Sequence, residues 1–303
     1  MSVVLPTFER PRRTLRAVRS VLGQDHGALE LIVVDDASRD DTVARLASVE
    51  DARLRIVRQD VNGGVANARN RGMAEAAGEV IAFLDSDDEW LPGKLSASLE
   101  SLSSAGPLAG IVHCGERAVF PDGSVRCRRA TASGWLLDDL LVKNVICGGG
   151  SSAAITRRVY ETIGGFDPTL PAAEDWEYWI RASRFFAVAA APEALVTYHE
   201  DDDAGRRSRD MRANMSARRT LFRRHRDELR RSGRAQRFLM ESARRELTEA
   251  GGSPAEGRRL VLAALAEGPA NTRLYPWLPY MLLPGAARAL LRRIDDRETP
   301  RPT

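Results

Sequence analysis

The chain has 303 residues, 43% hydrophobic and 29% charged, which excludes a disordered, collagen-like or disulfide-scaffold protein. That length suits one large α/β domain with an extension, or two domains. The net charge of +3 conceals an asymmetry: residues 1–204 carry 22 Lys and Arg against 31 Asp and Glu, whereas residues 205–303 carry 23 cations, all Arg, against 11 acids.

In chain order, strands are predicted at Val3–Leu5, Leu29–Val34, Arg53–Arg58 and Glu79–Leu84, short runs rich in branched residues. Helices are predicted between them at Arg12–Leu22, with Leu15, Val18 and Leu22 on one face, at Asp40–Val49, and at Gly64–Ala77 before a capping Gly78. This alternation argues a doubly wound, mainly parallel sheet, in which ligands sit beyond the carboxyl ends of the strands. Further on, Gly110–Cys114 and Arg117–Phe120 read as strands, Gly148–Ser152 as a loop, Thr156–Ile163 and Glu174–Arg184 as helices, and Ala194–His199 as a last strand. From Asp201 the chain reads as helical and Arg-rich, broken at Gly251-Gly252 and by Pro269, Pro276, Pro279 and Pro284. The expected division is 1–204 for the sheet domain and 205–303 for a helical region.

The carboxylates fall where such a sheet would use them. Asp85-Ser86-Asp87 follows the apolar run Ile81–Leu84, and two carboxylates one residue apart at a strand end suit a hard divalent cation with a diphosphate. Asp35-Asp36 ends another strand, where Asp36 is placed to accept from a nucleobase or ribose hydroxyl and Asp35 to cap the next helix. Arg69 opens toward the same end of the sheet and suits a nucleotide phosphate or base. Glu174-Asp175 precedes Trp176 and Trp179, setting a general base beside flat apolar rings on which a sugar could stack. His199 ends the last strand, where its imidazole could reach a metal opposite Asp87. Dinucleotide and P-loop glycine motifs, zinc-hydrolase histidine spacing and a nucleophile elbow are all missing, which argues against dehydrogenase, nucleotide hydrolase and esterase chemistry.

Taken together, Val3-Val4-Leu5-Pro6-Thr7-Phe8, Ser20–Gln24, Ile32–Ser38, Asn62–Asn70, Leu84–Trp90, Gly164–Asp167 and Glu174-Asp175 occur in the order of the family 2 glycosyltransferases, which the first 200 residues resemble. The resemblance implies a GT-A fold, a nucleotide-diphosphate sugar donor, most commonly a UDP-sugar, a Mg²⁺ or Mn²⁺ ion, and inversion at the anomeric carbon. It implies donor contacts at Pro6, Thr7, Asp36, Arg69, Asp85, Ser86, Gly149 and Gly150. Metal ligation falls to Asp87, Asp85 and His199, the catalytic base to Asp175, and the acceptor side to Glu174, Trp176 and Trp179. Glu9 departs from the family, whose members often carry Asn there, and Asp201–Gly205 carries acids where small residues are commoner. The implied acceptor is a hydroxyl of a glycan, a lipid-linked sugar or a small molecule. A catalytically inactive GT-A scaffold is the rival reading, against which the retained acids speak.

Arg206–Arg237 holds 13 Arg, with Met211, Met215, Phe222 and Leu229 near one helical stripe. Such a helix could lie on an anionic membrane, or pack its stripe inward and leave a solvated basic face. Trp277, Tyr280 and Met281–Leu283 add apolar surface among prolines that forbid a spanning helix. Nucleic acid is not expected as a partner, because the cations lack interleaved aromatics. Three cysteines, Cys114, Cys127 and Cys147, without paired spacing, no apolar run of about 18 residues and no room for a leader before Val3 point to a cytoplasmic protein, peripheral at the inner membrane face if the basic helix meets lipid.

Overall fold

The structure is a computed structural model and describes residues 1–200, 210–249 and 251–267. The described elements begin with β1 (Ser2–Thr7), α1 (Pro11–Leu22), β2 (Glu30–Asp35), α2 (Thr42–Ala47), β3 (Leu54–Arg58), α3 (Gly64–Glu75) and β4 (Val80–Phe83). They continue with β5 (Asp88–Trp90), α4 (Lys94–Ser104), β6 (Ala109–Val119), β7 (Val125–Arg128), α5 (Leu137–Leu140), α6 (Gly149–Ser152) and β8 (Ala153–Thr156). The last are α7 (Arg157–Ile163), α8 (Glu174–Ala182), β9 (Ala187–His199), α9 (Met211–Arg224), α10 (Arg226–Arg231), α11 (Ala235–Thr248) and α12 (Pro254–Glu267).

The strands form one nine-stranded sheet in the order β3-β2-β1-β4-β8-β6-β9-β5, with β7 paired to β6. From β3 to β4 all pairings are parallel, as the apolar runs require: β1 is buried along its whole length, and β2 from Leu31 to Asp35. The sheet turns antiparallel where β8 joins β4 and β6, while β6 and β9 run parallel. After β3 the chain returns to the far side of β1, so β1 and β4 flank the point where strand order reverses. In open α/β sheets that point, beyond the carboxyl ends of the strands, is where ligands bind.

Local chemistry explains most of the elements. Pro11 opens α1, where a missing N–H costs nothing, and Thr14, Ala17, Val18 and Val21 are its buried face. The expected face is thus turned by about one residue, leaving Leu15 and Leu22 partly buried at the core's edge. The two strands expected between Gly110 and Phe120 are one, β6, whose pairing with β9 shifts register around Gly115. The expected last strand is the end of the 13-residue β9, and the Gly148–Ser152 loop contains the single turn α6.

The chain clusters into two compact units: Met1–Leu140 with Asn144–Gly205, and Leu141–Lys143 with the chain from Arg206 onward. In the second, Met215, Ala217 and Leu221 of α9 are buried, and Phe222 lies against Phe238 of α11 with ring centroids 5.4 Å apart. The stripe is therefore covered by helix rather than offered to lipid. Arg218, expected among the basic flanks, is buried too, donating to Ser242 Oγ at 2.9 Å beneath Phe238, and burial pushes its pKa down to about 9. The continuous basic helix expected over 206–237 is instead interrupted at His225 and at Ser232–Arg234. The readings of Asp201–Gly205, the late prolines and Trp277–Leu283 lie outside the described residues.

Candidate active site

The ends of β1 and β2 set one wall. Thr7 is buried and its hydroxyl donates to Thr14 Oγ1 at 2.6 Å, because the Thr14 proton is committed to the Arg10 carbonyl. Pro6 precedes it, buried in β1. Asp36 accepts from the backbone N–H groups of Gly63 and Gly64 at 2.8 Å each and from the Gln59 amide, so it shapes the start of α3. Asp35, expected to cap the next helix, does not: it accepts from Ser38 N at 3.2 Å in the turn after β2, and the residue at the start of α2 is Asp41.

At the centre lies Arg69, side chain 3% exposed. It reaches Asp85 Oδ1 at 2.6 Å and Glu174 Oε1 at 3.0 Å, joining the end of β4 to the start of α8. Burial alone would lower its pKa, but Asp85, Glu174 and Asp175 together outweigh that and raise it. Its Nε, also buried, has no hydrogen-bond partner among the described residues. Asp175 is pushed up to about 6, first by burial and then by Glu174, with Arg69 opposing. Its Oδ1 accepts from Trp176 N at 2.7 Å, and Asn144 Nδ2 approaches Oδ2 at 3.4 Å.

The glycine turn closes over these groups. Gly149 has φ +54°, and a Cβ on Gly150 would stand 2.7 Å from Arg69 Nη2. Ser151 braces the turn against the acids: its hydroxyl accepts from Asp85 N at 3.0 Å and donates to Asp88 Oδ2 at 2.6 Å, while its carbonyl accepts from Trp90 Nε1 at 2.8 Å. Tyr198 donates to the Gly148 carbonyl. On the preceding loop Cys147 N donates to His113 Nδ1 at 2.9 Å, which leaves the His113 proton on Nε2, facing Ala132 O at 2.8 Å. Among the described residues, three non-glycine positions adopt left-handed backbone, Glu9 (φ 50°), Ala37 (φ 64°) and Ala173 (φ 57°). They follow β1, follow Asp36 and precede Glu174, which is where a constrained backbone aims functional side chains.

A second acidic group lies nearby. Asp87 Oδ2 meets Arg10 Nη1 at 3.0 Å, and Arg16 Nη2 donates to the Asp87 carbonyl at 2.8 Å. Ser86 between the acids is buried. Extending the β5–β9 register by one step sets His199 beside Asp87, yet its Nε2 bonds Glu89 Oε1 at 2.5 Å, the oxygen that Arg16 Nε also meets at 3.0 Å. Among the described residues no three His, Cys, Asp or Glu side chains are grouped to hold a metal ion. The oxygen-only pair Asp85 and Asp87 still matches a hard divalent cation in chemistry.

The tryptophans need correction. Trp179 is fully buried with Phe166 and Tyr178, and Trp176 is 3% exposed with Nε1 donating to Leu140 O at 2.6 Å. Neither presents a face on which a sugar could stack. Both anchor α8 so that Glu174 and Asp175 enter the site. Arg10, Arg16, Asn144 and Ser151 escaped the sequence reading because each meets its partner across 31 to 77 positions of chain. Only the nearness of Arg10 to Thr7 hinted at a place in the site.

Comparison with known proteins gives a family model described as glycosyl transferase family 2 that matches residues 2–164. An uncharacterised glycosyltransferase of Nostoc sp. is 30% identical over 189 residues, 59% of this chain and 56% of that protein. A UDP-Glc:alpha-D-GlcNAc-diphosphoundecaprenol beta-1,3-glucosyltransferase of Escherichia coli is 33% identical over 102 residues, 34% of this chain and 40% of that protein. These alignments thus span roughly half or less of the relatives' own lengths. A mannosyltransferase of Pyrobaculum calidifontis, solved with GDP-Man and Mn²⁺, superposes with TM-score 0.58 at 20% identity, covering 95% of this chain and 85% of that one. The likeness establishes the GT-A fold anticipated from the sequence.

Proposed function

The chain belongs to glycosyl transferase family 2, and from that premise we propose that it moves a sugar from a nucleotide-diphosphate donor to an acceptor hydroxyl with inversion. The observation that carries this reading is the cluster of Arg69, Asp85, Glu174 and Asp175 under the glycine turn, at the point where strand order reverses. In the proposed reaction Asp175 takes the proton of the acceptor hydroxyl as its oxygen attacks the anomeric carbon. A new carbon–oxygen bond forms on the face opposite the old one, and the nucleoside diphosphate leaves with the bonding electrons. A carboxylate with a pKa near 6 suits this work, ionised at neutral pH yet basic enough to accept.

Pro6, Thr7, Asp36, Ser86, Gly149 and Gly150 are proposed to line the donor with Arg69, and Glu174 to border the acceptor. Asp85 and Asp87 would hold Mg²⁺ or Mn²⁺, which when bound neutralises charge on the diphosphate. The Escherichia coli relative supports a UDP-sugar donor and a lipid-linked glycan acceptor, within polysaccharide biosynthesis. Residues 1–204 would be the catalytic domain and 205–303 an Arg-rich helical region. No helix among the described residues is long and apolar enough to cross a membrane.

The decisive experiment is Asp175→Asn, which keeps shape but cannot accept a proton. Turnover should fall by about 10²–10⁴ with donor affinity little changed. Wild-type turnover in that variant would assign the base to another carboxylate.

A further inference from the structure

The two carboxylates proposed for the metal are each held by an arginine, but in different ways. Arg69 on Asp85 is buried, tied also to Glu174, and roofed by Gly150. Arg10 on Asp87 is not: its side chain is 29% exposed, and Asp87 is its one ion-pair partner among the described residues. Its backbone is fixed regardless of its side chain, because Thr14 N and Thr14 Oγ1 both donate to the Arg10 carbonyl, at 2.9 and 2.7 Å. Asp87 is likewise fixed through its carbonyl by Arg16. The Arg10–Asp87 contact can therefore open without disturbing the chain on either side.

We propose that Arg10 is an internal competitor for the divalent cation, holding Asp87 Oδ2 until the ion displaces it. The inference rests on the reading of Asp85 and Asp87 as the metal carboxylates. A guanidinium and a metal ion on one carboxylate repel each other, so each weakens the other's hold. An arriving diphosphate relieves the conflict, offering new oxygens to the ion and a new anion to the released Arg10. Metal and donor binding thereby become mutually reinforcing, a reciprocal coupling between two ligands.

The test is Mn²⁺ binding by wild-type protein, R10Q and R16Q, read from the electron paramagnetic resonance of the free ion, with and without UDP. R10Q should bind Mn²⁺ about two- to fivefold more tightly, the range expected from losing a partly exposed ion pair. R16Q removes the same charge from Glu89 and from the Asp87 carbonyl, leaving the Asp87 carboxylate paired, and should tighten binding less. In an Asp87→Asn background the effect of R10Q should vanish. Unchanged affinity in R10Q, equal tightening in R16Q, or a gain that persists without Asp87 would each overturn the competition while leaving the metal reading intact. No Mn²⁺ binding by any of these proteins, with or without UDP, overturns the metal reading and the inference with it.

Discussion

Asp175 and Glu174 are adjacent carboxylates with different partners: Arg69 bonds Glu174, whereas Asp175 meets Trp176 N and Asn144. A base raised to about 6 is protonated below that pH and ionised above it, so kcat/KM should climb through pH 6 and level off. Glu174→Gln removes the like charge that helps hold Asp175 up, and the acid limb of the profile should move to lower pH. An unmoved limb in that variant would give the ionisation to a different group. The positions of Asp36, Asp85 and Asp87 at strand ends and of Asp175 at a helix start could be read from the sequence, because acids after an apolar run or before a helical one mark such boundaries. The orientation of Trp176 and Trp179 could not, since rings at helical spacing look alike whether they face a sugar or a core. The surroundings decide, and here Phe166 and Tyr178 had already enclosed Trp179.

The elements of the parallel half could be read from the sequence because each is a short apolar run between good helix formers. The long strand β6 could not, since its pattern breaks between Cys114 and Arg117. That break is a register irregularity at Gly115, whose missing Cβ would lie 2.6 Å from the Arg128 carbonyl, and not a strand end. The short turn α6 sets a sharper test. Gly150→Ala would press a methyl group onto Arg69, whose guanidinium is pinned by two carboxylates and has little room to yield. Chemical denaturation should show a loss of about 1–3 kcal/mol, the usual penalty for overpacking, with weaker donor binding. Wild-type values for both would mean that the guanidinium moves freely.

At the scale of the whole chain an acidic front is followed in sequence by a basic rear, but among the described residues the apolar stripe of α9 is turned inward. Arg212, Arg219, Arg223 and Arg226 remain exposed. Any membrane contact through α9 and α10 should then be electrostatic. The protein is expected to sediment with anionic vesicles at low salt, to be released as salt shortens the screening length below about 8 Å, and to ignore neutral vesicles. Salt-insensitive binding to neutral vesicles would require an apolar surface outside these helices.

The order of strands also has a consequence for how the chain is made. β4 has β1 on one side, and on the other β8, whose pairing residues Ala154–Thr156 follow some seventy positions later. A ribosome adding about 5–20 residues per second takes roughly 4–14 s to reach β8. Through that interval the nascent parallel half presents Val80–Phe83 as an unpaired apolar edge, the kind of surface on which chains aggregate. Yield during synthesis should therefore be governed less by final stability than by how well that edge is shielded until β8 arrives.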